Sequence, residues 1–417
     1  MLVPLIFLPF FPFTESCSLP VSLAFPSSTS SLDPYTSCFV NLAVVLADDP
    51  LHPDFHQVMR SPDRSLWLNG PCTDEITSLR DRHVYDLVEK PSGAHVIGCR
   101  WVLTVKQDTN GVVTRRKARL VAQGFTQIEG RDFDLTYSEV TKCDALFIFL
   151  QMCAQFNLFI RQIDVKTAFL YAPLDRELYV RQPPMFDDKT GRVWKLNRAL
   201  YGLKQAPRLW MLELTKQFST IGFFPLPTFM SIFKRDTDSD STPIFIVVYV
   251  DDILIAHGNS LVVDSVVREI RTLFEISDLG DPSSYLSLHL ERLDNEIRFD
   301  SRKSIRQLLS TFTDEIANCT LSASIPQTPF DAELASRLEF SLDTDLAALA
   351  EAAAINRDRN LTPQDTNLAC ALDSLRYKRF RSAVGSLNFL VTRTRPDIAL
   401  ATSNLSHRYN NPRNIDW

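Results

Sequence analysis

Apolar residues recur along this chain with two periods, and the switch between them marks the elements. Between Pro207 and Ile221, Trp210, Leu214, Phe218 and Ile221 fall on one helical face, and Gly222 follows as a stop. Between Ser260 and Phe274 the same spacing turns Val263, Val266, Ile270 and Leu273 inward, with Asn259 placed to cap the first turn. Helices are also predicted over Asp144–Gln155 and Arg302–Phe312, and an amphipathic one carries Trp67, Glu75, Ile76 and Leu79 within residues 48–83. The rest of the pattern is short and rich in β-branched residues. Val96–Lys106 and Thr114–Gly124 read as strands joined by the Asn110-Gly111 turn. Phe159–Ile163, Ile244–Val248 and Ile253–Ile255 read as further strands. The expected class is α+β.

The run Ile244–Val248 leads into Tyr249-Val250-Asp251-Asp252, so two adjacent carboxylates stand at the tip of a buried hairpin. Like charges at one turn repel, which raises the pKa of one of them unless a cation sits between. A divalent ion removes the conflict, and Mg²⁺ prefers oxygen ligands. A solvated Asp-Asp turn explains the same residues. The strand Phe159–Ile163 ends on Asp164, a third carboxylate far away in sequence. Two cations roughly 3.5–4 Å apart need at least one bridging carboxylate and further oxygens. Asp164, Asp251 and Asp252 meet that need if the two strand ends lie side by side. Adjacent residues near a turn point differently, so Asp164 and Asp251 are the expected main ligands and Asp252 is peripheral.

Charge refines the picture. The chain has 417 residues, 45% of them hydrophobic, enough for a sizeable core, and a net charge of −6 that argues against a general nucleic-acid binder. Its distribution matters more. Arg100, Lys106, Arg115, Arg116, Lys117 and Arg119 form one basic cluster, and Arg192, Lys195, Arg198, Lys204 and Arg208 form another. Either is a solvated face or a phosphate contact. The eight cysteines show no CxxC and no paired Cys/His spacing, which argues against a zinc site or a disulfide scaffold. Leu2–Phe13 is apolar but interrupted by Pro4, Pro9 and Pro12, and no Lys or Arg precedes Arg60. Neither a secretory signal nor a spanning helix fits, and residues 1–47 are expected to be a poorly ordered leader.

Three stretches, taken in order, resemble a known family: Asp164-Val165-Lys166-Thr167-Ala168-Phe169-Leu170, then Leu200-Tyr201-Gly202-Leu203-Lys204-Gln205-Ala206-Pro207-Arg208, then Tyr249-Val250-Asp251-Asp252. Upstream, Ile97–Val102 and Lys117–Gln127 fit the same set. So do Val384-Gly385-Ser386-Leu387 and Thr394–Ala399 downstream. The family is the copia-type LTR-retrotransposon reverse transcriptases. The resemblance implies a polymerase right hand of fingers, palm and partial thumb, with an antiparallel palm sheet and packed helices. It implies RNA-directed DNA polymerisation with Mg²⁺, or Mn²⁺ in its place, on an RNA or DNA template with primer and dNTPs. The implied metal set is Asp164, Asp251 and Asp252 with the main-chain oxygen of Val165. Phe169 becomes the steric gate under the sugar, with a core Phe as the plain alternative. Gly202 and Gln205 become nucleotide-facing, although a structural turn explains Gly202 equally well. Lys117 and Arg119 become triphosphate contacts, with strand register deciding which points inward.

The resemblance also divides the chain. Residues 48–325 are expected to hold fingers, palm and thumb, and 326–375 an Ala-rich acidic insertion or linker. Residues 376–417 are expected to be a truncated connection toward an absent RNase H domain, with integrase absent too. No membrane is implied; the family acts in cytoplasmic virus-like particles, with the nucleus as a second location. Departures stand out. Phe147 replaces a usual Arg, Ser277 a usual Lys, and Tyr171-Ala172 an Asn-Gly; the usual Gly near Ser287 is missing. Two readings follow: an active polymerase, or a non-catalytic remnant that at most binds nucleic acid or protein.

Overall fold

The computed structural model describes residues 51–108, 112–139, 141–237, 242–293, 296–313, 374–407 and 409. After helical segments within residues 55–81 come four strands: β1 (Tyr85–Val88), β2 (Val96–Ile97), β3 (Cys99–Gln107) and β4 (Val113–Ala122). The helix Cys143–Gln155 precedes β5 (Phe159–Val165), β6 (Pro173–Arg181) and β7 (Val193–Arg198). The helix Ala206–Thr220 leads to β8 (Phe224–Leu226), β9 (Phe229–Arg235), β10 (Ile244–Tyr249) and β11 (Asp252–His257). After the helix Ser260–Leu273 come β12 (Ile276–Gly280), β13 (Ser284–Tyr285), β14 (Leu288–Leu293) and β15 (Glu296–Asp300).

A six-stranded sheet in the order β12-β5-β11-β10-β9-β8 forms the floor, antiparallel at every pairing. Its central strands β10 and β11 read as nearly continuous apolar runs because both faces are covered. On one face Ile163, Val165, Ile246, Val248, Ile253 and Ile255 share a core with Trp210, Leu214, Phe218, Val263, Val266 and Ile270 of two helices. On the other, Ile160, Val247, Leu254 and Ala256 pack with Leu146, Phe149 and Leu150 and with Tyr285 and Leu288. Each such side chain contributes roughly 1.5–3 kcal/mol of burial, so the floor is stiff where its polar end residues must be held. The β3-β4 pair is a separate two-stranded ribbon, and β1-β7-β6-β2 form a mixed sheet with one parallel pairing.

The helix expected within residues 48–83 to carry Trp67, Glu75, Ile76 and Leu79 is present as one helical run, Arg64–Trp67 and Thr73–Asp81 joined by a π-turn at Leu68–Cys72 that contains Pro71; a short helix Phe55–Arg60 precedes it. Proline lacks the N–H that a continuous helix needs, and Gly70 beside it adds freedom. Gly98 divides the expected Val96–Lys106 strand into β2 and β3. Asn259 caps its helix as expected, its side chain accepting from the Leu261 N–H at 2.9 Å. The Asn110-Gly111 turn, the leader 1–47 and most of the segment 326–375 lie outside the described residues. Residues 374–407 are two helices that pack on the helix Arg302–Thr311. Ile305, Leu308 and Phe312 meet Phe380, Val384, Leu387 and Leu390 in a small third core.

Candidate active site

The β10-β11 hairpin pairs Tyr249 with Asp252, which leaves Val250 and Asp251 alone in the turn. A turn that tight favours a left-handed first residue, normally Gly. Here it is Val250, at φ +57°, a costly conformation for a β-branched side chain. The surroundings hold it. Trp210 donates its indole N–H to the Val250 carbonyl at 2.7 Å, and the Val165 N–H donates to the Asp251 carbonyl at 2.8 Å. Thr141 donates to the Val248 carbonyl at 2.5 Å. Loop, helix and neighbouring strand thus fix the turn that carries Asp251.

Asp252 lies directly across from Asp164 in the β11-β5 register, and Ser277 lies across from Asp164 on its other side. Directly opposed residues of an antiparallel pair share a face, where like charges destabilise. Burial, then the charges of Asp251 and Asp164, push the Asp252 carboxyl up to about 6, against a hydrogen bond with Gln162. Burial and Asp251 raise Asp164 as well, while Lys117, Arg119 and Lys106 pull it down. None of the three carboxylates forms an ion pair among the described residues.

Burial, together with this repulsion, makes stability depend on pH. The folded pKa of Asp252, about 6, lies above the unfolded value of about 3.9. Its contribution is therefore complete below about pH 4 and lost as pH rises through about 6. For this half-buried group, screened by solvent, we expect roughly 1–2 kcal/mol. Urea unfolding of metal-free protein should show greater stability at pH 5 than at pH 7, and Asp252→Asn should flatten most of that slope.

The β3-β4 ribbon brings its cations within electrostatic reach of Asp164. Sequence reasoning set Lys117 and Arg119 as alternatives of register. That was wrong, because residues two apart in a strand share a face. The register adds companions: Lys106 pairs with Arg115, Thr104 with Lys117 and Val102 with Arg119, all on the side opposite the buried Ala118 and Leu120. Burial and its cationic neighbours Arg119, Arg115 and Lys106 lower the Lys117 pKa, while Glu75 raises it. Arg119 lies over the Tyr201 ring at 5.2 Å, and Tyr201 meets Phe169 edge-on at 5.1 Å. Burial pushes the Tyr201 hydroxyl up to about 12, so it stays neutral. Tyr201 and Glu75 are site-facing residues that sequence reasoning passed over, while Lys106 belongs to the basic cluster it singled out. Tyr201 carried a signal, being the aromatic next to Gly202.

Gly202 and Gln205 are occupied within the protein. At φ +88°, Gly202 crosses β4 so closely that a Cβ would stand 2.2 Å from the Ala122 carbonyl oxygen. The Gly124 Cβ position is likewise blocked, at 2.0 Å from the Gly202 carbonyl oxygen. The glycine thus serves the crossing of two backbones, the role of the structural turn. Gly202→Ala is expected to cost at least about 2 kcal/mol of stability in chemical denaturation, combining left-handed strain with a backbone clash. Gln205 is fully buried; its amide N–H donates to the Asp132 carbonyl at 2.9 Å and its oxygen accepts from Gln127 at 2.9 Å. One amide N–H and the oxygen are thus engaged inside the protein, and the side chain is enclosed. Phe147 stacks on Phe299 of β15 at 4.9 Å, so that position is spent on packing.

Among the described residues, no three His, Cys, Asp or Glu side chains already surround one point as an ion cage. The fit to a divalent ion rests instead on the donor set: hard oxygens, desolvated and mutually repelling, with no protein cation paired to them. Cys72, Cys99 and Cys153 are pushed up to about 12, chiefly by burial, and are inert thiols. No helix among the described residues is long and apolar enough to cross a membrane.

Residues 82–328 match the model of the reverse transcriptase (RNA-dependent DNA polymerase) family, and the chain belongs to that family. Within it, the relatives are copia-type transposon proteins. The retrovirus-related Pol polyprotein from transposon TNT 1-94 of Nicotiana tabacum is 30% identical over 381 residues, 90% of this chain and 26% of that protein. The corresponding polyprotein from transposon RE1 of Arabidopsis thaliana is 32% identical over 343 residues, 82% of this chain and 21% of its own length. The putative transposon Ty5-1 protein of Saccharomyces cerevisiae is 31% identical over 255 residues, 61% of this chain and 71% of that protein. The chain thus spans about a quarter of the plant polyproteins it matches. By this resemblance it is assigned to the RNA-directed DNA polymerases, and its mixed helices and sheets fit such a domain.

Proposed function

We propose that this chain extends a primer 3′-hydroxyl with dNTPs on an RNA or DNA template, as the polymerase part of a copia-type retrotransposon. One observation carries the reading: Asp164 and Asp252 directly opposed, Asp251 in the adjoining turn, and a cationic ribbon whose charges reach Asp164. We assign residues 48–325 to the right hand. The β3-β4 ribbon acts as fingers, the six-stranded sheet as palm, and the helix Arg302–Thr311 opens the thumb. Residues 376–417 lead toward an RNase H domain, which with integrase would be a partner within a longer polyprotein.

Lys117 and Arg119 grip the triphosphate from above, Arg119 with its guanidinium fork. Phe169, backed by Tyr201, closes the space under the sugar. Asp164 and Asp251, with the Val165 carbonyl and with Asp252 beside them, are the oxygens available to Mg²⁺ or Mn²⁺. When bound, such an ion supplies positive charge at the attacking and leaving oxygens. Gly202 and Gln205 act indirectly, by fixing the turn that presents Tyr201.

The test is primer extension by purified protein on an oligo-primed RNA template with Mg²⁺ or Mn²⁺. Extension beyond the primer supports the reading, and none under either ion removes it. A non-catalytic remnant is the second reading. It is favoured by Ser277, an uncharged side chain directly across from Asp164 where the family usually has Lys, and by the Phe147–Phe299 stack.

A further inference from the structure

Strand β4 has an outer edge as well as the one it shares with β3. The Leu120 N–H on that edge is fully buried and does not bond to β3; it donates to the Glu75 carboxylate at 3.1 Å. Two residues on, the Ala122 N–H donates to the Tyr201 carbonyl at 2.7 Å. The cationic strand is therefore fastened to the helix Thr73–Asp81 at one point and to the Tyr201 turn at the next. An amide would satisfy a single N–H as well as a carboxylate does. A charged acceptor earns its place only through the cations near it, and those are Lys117 and Arg119, whose charges act on Glu75.

We propose that Glu75 is a positioning residue of the triphosphate grip: it anchors β4 through Leu120 and supplies the counter-charge that holds Lys117 and Arg119 together against a bound polyanion. The proposal rests on the polymerase reading above. Every cation facing Lys117 from the ribbon opposes its charge: Arg119 and Arg115 on its own strand and Lys106 on β3. Glu75 is the anion acting from the helix, and Asp164 faces the row from the palm. Tyr201 stays neutral until about 12 and does not intervene. With Glu75 neutral, Lys117 gives up its proton more readily, so anion binding fails at a lower pH.

The experiment titrates dATP onto the full chain in EDTA from pH 7 to pH 10, following affinity by fluorescence or calorimetry. Wild type should lose affinity as pH rises. Glu75→Gln, which keeps an acceptor for Leu120, should melt within about 2 °C of wild type, yet its alkaline limb should move down by about half a pH unit or more. Lys117→Arg should abolish the limb, and Glu75→Gln should then move nothing. Glu75→Ala should also lower the melting temperature, since Leu120 loses its acceptor. A Glu75→Gln curve that superimposes on wild type, or a shift that persists with Arg at 117, overturns the proposal and leaves Glu75 a structural clamp. Wild-type protein that binds no dATP overturns both the proposal and the grip it rests on. Binding with the predicted shift but no primer extension upholds the proposal and removes only the polymerase reading.

Discussion

Asp164→Asn and Asp251→Asn are each expected to lower primer extension by at least about 10³-fold, roughly 4 kcal/mol of barrier. Asn keeps the size and shape of Asp and one of its oxygens, so the β5-β11 register and the Val250 turn have no reason to change. What disappears is one negative charge from a set placed where like charges repel. That arrangement costs stability: burial and repulsion raise both Asp164 and Asp252. Removing a charge should therefore leave the melting temperature unchanged or higher, by up to about 1 kcal/mol of stability. Opposite signs for stability and activity distinguish a site residue from a fold residue. The measurements are steady-state extension on an oligo-primed RNA template and a thermal melt in EDTA. Activity within tenfold of wild type for both variants would show that these carboxylates do not hold the reaction's charge.

Much of the fold was legible because it is local. Asn259 capping the Val263-Val266-Ile270 face, and the long apolar runs of β10 and β11, are written in spacing alone. The π-turn after Trp67 was legible in part, since Pro71 lacks the N–H that a regular α-helical turn uses and the helix must adjust around it. Register was not legible. That Asp252 faces Asp164, and Ser277 faces it from the other side, follows from pairings between distant strands that no local pattern encodes. Gln205 shows the same limit for side chains. In sequence it is an amide in a motif, and only the fold reveals that it is buried and bonded to Gln127 and Asp132. Glu75 read as a helix residue, because its partner Leu120 lies on a strand whose free edge becomes apparent only after folding.

Phe169→Val is expected to raise the ratio of rNTP to dNTP incorporation by roughly 10²-fold, the value of relieving one steric clash of about 2–3 kcal/mol. Phe169 sits on a short 3-10 turn, Ala168–Tyr171, that follows Thr167 in a left-handed conformation at φ +55°. The turn places the ring five residues after Asp164, against the edge of Tyr201 and partly buried on the main core. A ring held from behind cannot yield to a 2′-hydroxyl, the group by which ribose differs from deoxyribose. Its core contacts also predict a stability loss, so Val, which retains part of the packing, is a better probe than Ala. Tyr201→Leu supplies the control. It removes the backing ring and should loosen discrimination partway, with Phe169 still in place. Both ratios should be measured at fixed template and primer, with single nucleotides supplied in turn. If Phe169→Val incorporates dNTP normally and its ratio equals wild type, the ring is core packing and the gate lies elsewhere in the pocket.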